Sequence, residues 1–466
     1  MKLSNEDSVY HLNKVANFRK GIFDKIARKD NEQIWLKASL KDVRNVVLIN
    51  SAPRSGSSLL FEILRKIPGV YSLNGESVPF YKLNGLSSDC FPSDKIPGEL
   101  IEKIDRNFDI SRDFLSGFSI INNQNGVIDD DLLNQYIEKL ILRFAIQWPK
   151  INFDYDVFKK LAMRAIDFYF NNNKQFFKEQ FYLELFRFLR TEYKDINPYY
   201  YDIPQDMIRE KFPDIKVSLA PPNNVLMIEE PPFILLSPQR SVNVKDLSDK
   251  ILLLKSPLNC YRMEYIKRMF PNADIKVIYL IRNPAASING LYDGWLYRGF
   301  FSHNLASYFS CHKTEADKLN IAGYSDKYAW GKFWWNFDLP PGWENYIDKS
   351  LEEVCAFQWY SANKAMQGYI NNRGNSVCKI RYENVVRSLE SRISEMEKII
   401  DFIGLKSNII KILNLNELPV VQTTCPPQFY RWKKKKDILL PILDNIRIFE
   451  MYNSMGYRKK NIKQWL

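Results

Sequence analysis

The stretch that decides the fold is VVLINSAPRSGSSLLFEIL, residues 46–64 of a chain of 466 residues. Its apolar start, Val46–Ile49, is typical of a buried strand, and Leu59–Leu64 has the composition of a helix. The polar segment Pro53–Ser58 joins the two. A strand, a tight polar loop and a helix together present backbone N–H groups to an anion at a helix N-terminus. The sequence therefore predicts an anion-binding loop here.

The loop differs from the usual ATP-binding pattern G-x-x-x-x-G-K-[ST]. Ser57 stands directly after Gly56, where that pattern has lysine, and the cation of the loop, Arg54, comes earlier. Ser55 and Ser58 add hydroxyl groups. These five residues are the candidate anion ligands of the loop.

Further short apolar runs alternate with helical stretches along the chain. The runs that we interpret as strands, besides the first, are residues 70–73, 251–254, 275–281 and 377–382. This alternation indicates a parallel sheet. We expect an α/β fold, a P-loop-like parallel sheet flanked by helices, with a large and mainly helical insertion.

We expect the chain to form one domain over residues 1–466. Its parts would be a helical lead-in at 1–45, an α/β core at 46–94 and 246–466, and a helical insertion at 95–245. Helical patterns at Asp131–Ile146 and Val157–Arg190 support the insertion.

The composition is that of a basic protein with reduced cysteines, and it does not identify the ligand. Sixty-six Lys and Arg against 54 Asp and Glu give a net charge of +12, which suits an anionic ligand, nucleic acid or an acidic membrane surface. The six cysteines are scattered, without C-x-x-C spacing, which indicates reduced thiols. The sequence has no signal-peptide core and no apolar run that could span a bilayer. We expect a cytoplasmic protein with no membrane partner.

Polar residues follow the proposed strands at their carboxyl ends, where open α/β sheets bind ligands. Lys255 follows the strand at 251–254, and Arg282 follows the strand at 275–281. Asn283 fits a helix N-cap and Pro284 fits the first helical position. Arg282 thus stands beside a helix N-terminus, a suitable place for a phosphate.

Several segments, in order, resemble sulfotransferases that use 3′-phosphoadenosine 5′-phosphosulfate (PAPS). Val46–Leu60 resembles their 5′-phosphosulfate-binding segment, and Leu252–Pro257 with Val277–Pro284 resembles their second conserved block. Arg381–Val386 resembles a strand and helix of the bacterial members, and Tyr430–Lys433 resembles their C-terminal segment. The segments cover roughly a third of the chain, and four in the right order are hard to obtain by accident.

The resemblance implies PAPS as the donor, with the Arg54 loop on its 5′-phosphosulfate and Arg282 on its 3′-phosphate. The family usually has a serine eight residues after this arginine, where this chain has Gly290. Ser287 and Asn289 are near on the same proposed helix, and either could replace it; we expect Ser287.

The expected catalytic base is Glu76, which follows the second strand, as a carboxylate does in the similar tyrosylprotein sulfotransferases. The alternative is that Glu76 caps a helix or forms a surface ion pair. His303 and His312 are reserve candidates for the base. Lys255 and Arg54 would neutralise the charge that develops in the reaction.

A basic segment near the C-terminus and an acidic run in the middle of the chain each have two interpretations. Arg431 and Lys433 would close a C-terminal loop over the 3′-phosphate, or they belong to a merely solvated basic run. Asp129–Asp131 stands at the start of a helical pattern, where acidic residues cap a helix and favour its dipole. No His, Cys and Asp cluster has metal-ligand spacing, so we expect no metal.

The resemblance implies transfer of a sulfonyl group to a hydroxyl or nitrogen of a small organic acceptor, and we expect a natural product. Aromatic residues and glycines alternate in Gly290–His303, which suits an acceptor pocket or ordinary packing. The alternatives are an ATP-dependent P-loop kinase and a non-catalytic binder of anionic polymers. We expect no nucleic acid partner.

Overall fold

The computed structural model describes residues 5–86, 93–101, 108–121, 129–311 and 318–466. The strands are β1 (Asn45–Asn50), β2 (Val70–Leu73), β3 (Phe118–Ile120), β4 (Arg240–Ser241), β5 (Ile251–Lys255), β6 (Asp274–Ile281), β7 (Phe301–Asn304), β8 (Trp334–Asn336) and β9 (Val377–Arg381). The helices are α1 (Asn5–Lys29), α2 (Ile34–Lys37), α3 (Ser57–Leu64), α4 (Val78–Leu83), α5 (Gly98–Ile101), α6 (Phe108–Gly117), α7 (Asp130–Gln147), α8 (Tyr155–Asn172), α9 (Lys178–Leu189), α10 (Gln205–Lys211), α11 (Val244–Asp249), α12 (Met263–Met269), α13 (Pro284–Trp295), α14 (Ala306–Cys311), α15 (Leu351–Arg373), α16 (Tyr382–Arg387), α17 (Leu389–Ile403), α18 (Lys436–Leu443) and α19 (Ile446–Ser454).

The central sheet has the strand order β4-β3-β2-β5-β1-β6-β9, and β7 pairs with β8 separately. The five neighbouring strands β2, β5, β1, β6 and β9 run parallel. Val46 of β1 lies opposite Leu252 of β5 and Ile275 of β6. At the other edge β3 and β4 are added antiparallel. The predicted α/β fold is confirmed, and every strand expected from the sequence is present.

The middle of β1, Val46–Ile49, is apolar because both faces of the sheet are covered there. Val46 and Leu48 face the larger core, which includes residues of α13 and α15. Val47 and Ile49 face a second core, which includes residues of α3 and α17. Side chains alternate between the faces of a strand, and each fully buried aliphatic side chain contributes about 1.5–3 kcal/mol. This double burial suits the place of β1 as the middle one of the five parallel strands.

The parallel arrangement brings several loops to one edge of the sheet. The segment after β1 contains Arg54, the segment after β2 contains Glu76, β5 ends at Lys255, and Arg282 directly follows β6. The carboxyl ends of parallel strands meet at one edge, so these four residues come together although up to 228 positions separate them.

The region 95–245 contributes helices and also the short strands β3 and β4, which extend the sheet. The prediction of one helical stretch over Val157–Arg190 is wrong, because α8 ends at Asn172 and α9 begins at Lys178. The side-chain amides of Asn172 and Asn173 donate to backbone carbonyls four residues earlier, at 2.7 and 2.9 Å. Such local bonds compete with helix continuation.

Both expected helix caps are confirmed. Asp129 Oδ1 accepts a hydrogen bond of 2.7 Å from the backbone N–H of Leu132 at the start of α7. Asn283 Oδ1 accepts one of 2.8 Å from the N–H of Ala286, and Pro284 is the first residue of α13. These caps fix where α7 and α13 begin, and the second fixes the chain directly after Arg282.

Among the described residues, no helix combines the length and apolar character that crossing a membrane requires. Cys260, Cys355 and Cys378 are buried free thiols, and Cys425 is an exposed one. Cys90 lies outside the described residues.

Two glycines with left-handed backbone allow a matched test of the packing after β1. Gly56 has φ +96°, and a Cβ there would lie 2.3 Å from the ring of Tyr382. Gly69 has φ +88°, and a Cβ there would meet no atom within 4 Å. We expect Gly69→Ala to lower the free energy of unfolding by about 1–2 kcal/mol, through backbone strain alone.

Gly56→Ala combines the same strain with displacement of Tyr382, so we expect a loss of about 2–5 kcal/mol. Chemical denaturation of both variants and the unmodified chain measures the difference. Equal losses for the two variants would show that the loop does not pack against Tyr382 as described.

Candidate active site

The loop between β1 and α3 makes two unusual backbone turns. Arg54 has φ +62° and Gly56 has φ +96°, both in the left-handed region. Gly56 is the N-cap of α3, whose first residue is Ser57. The loop therefore ends at a helix N-terminus, where unpaired N–H groups and the helix dipole favour an anion.

Arg54 is the cation of this loop. Its Nη1 donates to the backbone carbonyl of Gln422 at 2.9 Å, and its guanidinium lies 4.6 Å from the centre of the Phe300 ring. Burial, and then the positive charges of Arg282 and Arg431, lower the pKa of Arg54 to about 10. A cation held among other cations is stabilised when an anion binds beside it.

Arg282 lies against the same loop. Its Nη1 donates to the backbone carbonyl of Arg54 at 3.1 Å, and its guanidinium lies 4.3 Å from the centre of the Tyr382 ring. Tyr382 is also the residue that Gly56 approaches. One aromatic ring thus packs on both the loop and the arginine, which fixes their relative position.

Arg431 brings a third guanidinium to the site from the C-terminal part of the chain. It forms an ion pair with Asp293 of α13 and also donates to the hydroxyl of Thr424 at 3.2 Å. Lys435 Nζ lies 2.6 Å from the other carboxylate oxygen of Asp293. Asp293 thus holds two cations next to the site.

Glu76 and Lys255 form an ion pair at the carboxyl edge of the sheet. The Lys255 side chain is 6% exposed and that of Glu76 is 24% exposed, so the carboxylate is the more accessible partner. Gly75, with φ +100°, precedes Glu76 and packs against Ile234. The pair joins the ends of β2 and β5 and places a carboxylate beside an ammonium group.

A cavity of about 590 Å³ unites most of the predicted residues. Those that line it are Arg54, Gly56, Ser57, Ser58, Glu76, Lys255, Arg282 and Arg431. The cavity is therefore the candidate active site. Its volume is in the usual range for sites that bind organic ligands.

Two of the predicted ligands lie behind the wall of this cavity. Ser55 and Ser287 are both buried, and their hydroxyl oxygens lie 3.3 Å apart in a mutual hydrogen bond. Asn289, the alternative to Ser287, does line the cavity. It donates to Asp293 at 3.1 Å and accepts from Lys435 at 3.3 Å. Of the two candidates, Asn289 is the one next to the cavity.

Gly290 has a structural reason to lack a side chain. A Cβ at this position would lie 3.1 Å from Cβ of Arg54, closer than ordinary van der Waals contact. The glycine lets α13 approach the loop. A serine, which the resemblance leads one to expect here, would press on Arg54.

Lys433 is exposed and does not line the cavity. Its ammonium group lies 4.0 Å from the centre of the Tyr430 ring and donates to the carbonyl of Lys463 at 3.4 Å. The structure brings Arg431 to the site and leaves Lys433 outside it.

His303, a reserve candidate for the base, is 3% exposed and lines the cavity. Its Nε2–H donates to the carbonyl of Phe337 at 2.9 Å. Burial is the main cause that lowers the pKa of His303, to about 4. The imidazole is therefore neutral and held by the backbone. His312 lies outside the described residues.

Sequence reasoning missed several charged residues of the cavity wall. Lys82 donates to the carbonyls of Met227 at 2.8 Å and Ser302 at 2.7 Å. Arg143 Nε lies 2.5 Å from the buried carboxylate of Glu229. These contacts join distant segments, and no local pattern marks them.

Glu230 is a further carboxylate of the cavity wall. Its Oε1 is buried without a hydrogen-bond partner among the described residues. Burial, and then the carboxylate of Glu76, raise the pKa of Glu230 to about 7. The adjacent acids in Glu229-Glu230-Pro231-Pro232, followed by rigid prolines, are the sequence signal that could have found it.

The raised pKa of Glu230 predicts how stability depends on pH. Between about pH 4.5 and pH 7 the folded chain binds this proton and the unfolded chain does not, so this group's contribution to stability falls as pH rises. Glu230→Gln removes that dependence.

We expect the stability of Glu230→Gln, relative to the unmodified chain, to increase from pH 5 to pH 8. Urea denaturation at several pH values measures this difference, and the comparison cancels the titrating groups that do not interact with Glu230. A difference that stays constant over this range would contradict the described environment of Glu230.

Comparisons with known proteins bear on the family of the chain. The model of the sulfotransferase family matches residues 47–321, which include the loop, Glu76, Lys255 and Arg282. A search of curated proteins found no match.

Solved structures with similarity include sulfotransferase domains of two biosynthetic systems and one mycobacterial enzyme. The domain from the Synechococcus olefin synthase is 12% identical, with 89% of this chain and 96% of that chain covered and a TM-score of 0.35. The domain from the curacin biosynthetic pathway is 11% identical, with 86% and 98% covered and a TM-score of 0.30. A sulfotransferase of Mycobacterium tuberculosis is 10% identical, with 87% and 79% covered and a TM-score of 0.32.

The family assignment rests on the family model, since these structural scores and identities are low. The matched residues make up more than half of the 466. The chain belongs to the sulfotransferase family.

Proposed function

We propose that this sulfotransferase moves a sulfonyl group from PAPS to a hydroxyl or nitrogen of a small organic acceptor, a natural product. The observation that carries the proposal is the convergence on one cavity of the Arg54 loop, Arg282 and the Glu76–Lys255 ion pair. An anion site, a second phosphate site and a paired carboxylate are what such a transfer requires.

The donor would lie along the carboxyl edge of the sheet. Its 5′-phosphosulfate would bind the loop from Arg54 to Ser58, at the N-terminus of α3. Its 3′-phosphate would bind Arg282, with Asn289 close by on α13. Support for this orientation comes from the contact of Arg282 with the loop, which places the two arginines next to each other.

The reaction requires a base for the acceptor and cations for the leaving group. In the proposed step Glu76 takes the proton of the acceptor O–H or N–H as a bond forms to sulfur. The bond between sulfur and the bridging oxygen breaks, and adenosine 3′,5′-bisphosphate leaves with the electron pair. Lys255 and Arg54 would stabilise the charge on that oxygen, which is mainly a matter of positioning and electrostatics.

The acceptor would occupy the part of the cavity beyond Glu76. Apolar side chains that line the cavity include Val78, Ile234, Phe300 and Phe337. Mainly apolar walls with a few convergent polar groups are typical of sites for small organic ligands. This composition supports a small-molecule acceptor over a polymer or a nucleic acid.

We propose a cytoplasmic location. The free thiols of Cys260, Cys355, Cys378 and Cys425 support a reducing compartment.

Calorimetric titration with adenosine 3′,5′-bisphosphate, and with ADP and ATP in parallel, tests the donor site. We expect tight binding that requires the 3′-phosphate. Arg282→Ala should weaken binding of the 3′,5′-bisphosphate about 10- to 100-fold and leave ADP binding unchanged, because it removes a charged hydrogen bond to that phosphate.

Lys434→Ala is the control, because it removes one positive charge from an exposed position outside the cavity. Binding of ADP as tight as that of the 3′,5′-bisphosphate would contradict the role of Arg282. Binding of ATP alone would favour the kinase alternative.

The role of Glu76 is tested by transfer of labelled sulfonate from PAPS to a panel of alcohols, phenols and amines. Glu76→Gln removes the proton acceptor and keeps the size of the side chain, so we expect kcat to fall about 10²- to 10⁴-fold with unchanged nucleotide binding. Glu264→Gln, in an exposed ion pair with Lys267, is the control. A fall in kcat of less than threefold in Glu76→Gln would show that another residue is the base.

A further inference from the structure

An extended segment of the C-terminal region borders the candidate active site. We call residues 418–429 the strap; most of them line the cavity. Within the strap, Gln422 has φ +47°, a left-handed conformation that a non-glycine residue adopts at a cost. Contacts with the rest of the chain must therefore hold it in place.

Three hydrogen bonds hold Gln422. Its side-chain Oε1 accepts from the Ser58 hydroxyl at 2.8 Å, and its backbone carbonyl accepts from Arg54 Nη1 at 2.9 Å. Its backbone N–H donates to Asp202 Oδ2 at 3.1 Å. Two of these bonds use polar groups of the anion loop, and the third anchors the strap to the helical region.

The two oxygens of Gln422 occupy hydrogen-bond donors that an anion would use. A serine hydroxyl has one hydrogen, so Ser58 cannot donate to Gln422 and to an anion at the same time. Arg54 has five N–H donors, and one of the two at Nη1 is already directed at the strap. Binding an anion through both residues therefore requires Gln422 to give up at least the bond from Ser58.

We propose that Gln422 is a latch that sets the affinity for the donor, by occupying Ser58 and Arg54 until the donor displaces it. The inference rests on the proposed function, because it takes these groups as ligands of the 5′-phosphosulfate. Without donor, the backbone carbonyl of Gln422 gives the half-buried guanidinium of Arg54 a partner oxygen.

The donor can displace Gln422 from Ser58 and Arg54 for an electrostatic reason. Gln422 offers neutral oxygens, whereas a phosphosulfate offers charged ones, and charge-assisted hydrogen bonds are roughly twice as strong. The latch nevertheless lowers the apparent affinity, since only the fraction of molecules with a free loop can bind.

Titration of Gln422→Ala with adenosine 3′,5′-bisphosphate tests the latch. The variant loses the bond to Ser58, so we expect its dissociation constant to be about 3- to 10-fold lower than that of the unmodified chain. Gln205→Ala is the control, because it shortens an exposed glutamine of α10 that does not line the cavity, and its dissociation constant should not change.

A second variant keeps the test decisive if Gln422→Ala does not fold. Gln422→Asn keeps the amide, but its shorter side chain cannot reach Ser58, and we expect a similar gain in affinity. Unchanged or weaker binding in the folded variants would overturn the latch.

Failure of the proposed function gives a different result. It would appear as absence of 3′,5′-bisphosphate binding in the unmodified chain, whereas failure of the latch would appear only in the ratio between variant and unmodified chain. If ADP or ATP binds instead, the same ratio measured with that nucleotide decides the latch, because the loop would bind its phosphates too.

Discussion

The close approach of three backbone segments at Arg54 is the constraint on which the site depends. Gly56 lets the loop pack on the ring of Tyr382, and Gly290 lets α13 come so near that a Cβ would lie 3.1 Å from Cβ of Arg54. Close packing of this kind leaves little freedom to the residues involved. The Arg282 guanidinium lies 4.3 Å from the centre of the same tyrosine ring. Two glycines and one aromatic ring thereby fix the geometry of two arginines.

This packing has an electrostatic cost, which Glu230 and Asp293 partly offset and which a bound anion would lower further. Arg54, Arg282 and Arg431 are close enough for repulsion to contribute to the lowered pKa of Arg54. Asp293 compensates Arg431 and Lys435. The backbone carbonyl of Gln422 gives Arg54 a neutral partner. An anion at the loop would supply negative charge beside Arg54. The fold therefore holds these cations in place for an anion before one binds.

The sheet and its loop could be predicted because their signals are local. Strands β1, β2 and β5 are short and almost entirely buried runs, and Asn283 with Pro284 marks the start of α13 by cap chemistry alone. Strands β3 and β4 were not predicted, because they have three and two residues and exist through long-range pairing. The break between α8 and α9 was missed because the aromatic pattern continues across the asparagines that end α8.

The residues of the site that belong to sequence motifs could be predicted, and the contacts that depend on packing could not. Gly290 was noted as a departure from the family pattern, but its contact with Arg54 depends on how α13 packs. Ser287 has the right chemistry for a phosphate, yet its hydroxyl bonds to Ser55 behind the cavity wall. Gln422 lies 364 residues from Ser58 in a segment without regular structure, so nothing near it in the sequence indicates their bond.

A crystal structure with adenosine 3′,5′-bisphosphate tests the central claim most directly. We expect the 5′-phosphate on the loop from Arg54 to Ser58, the 3′-phosphate on Arg282, and the Glu76–Lys255 pair facing the place of the transferred group. A nucleotide bound elsewhere, or one with its 3′-phosphate away from Arg282, would contradict the account.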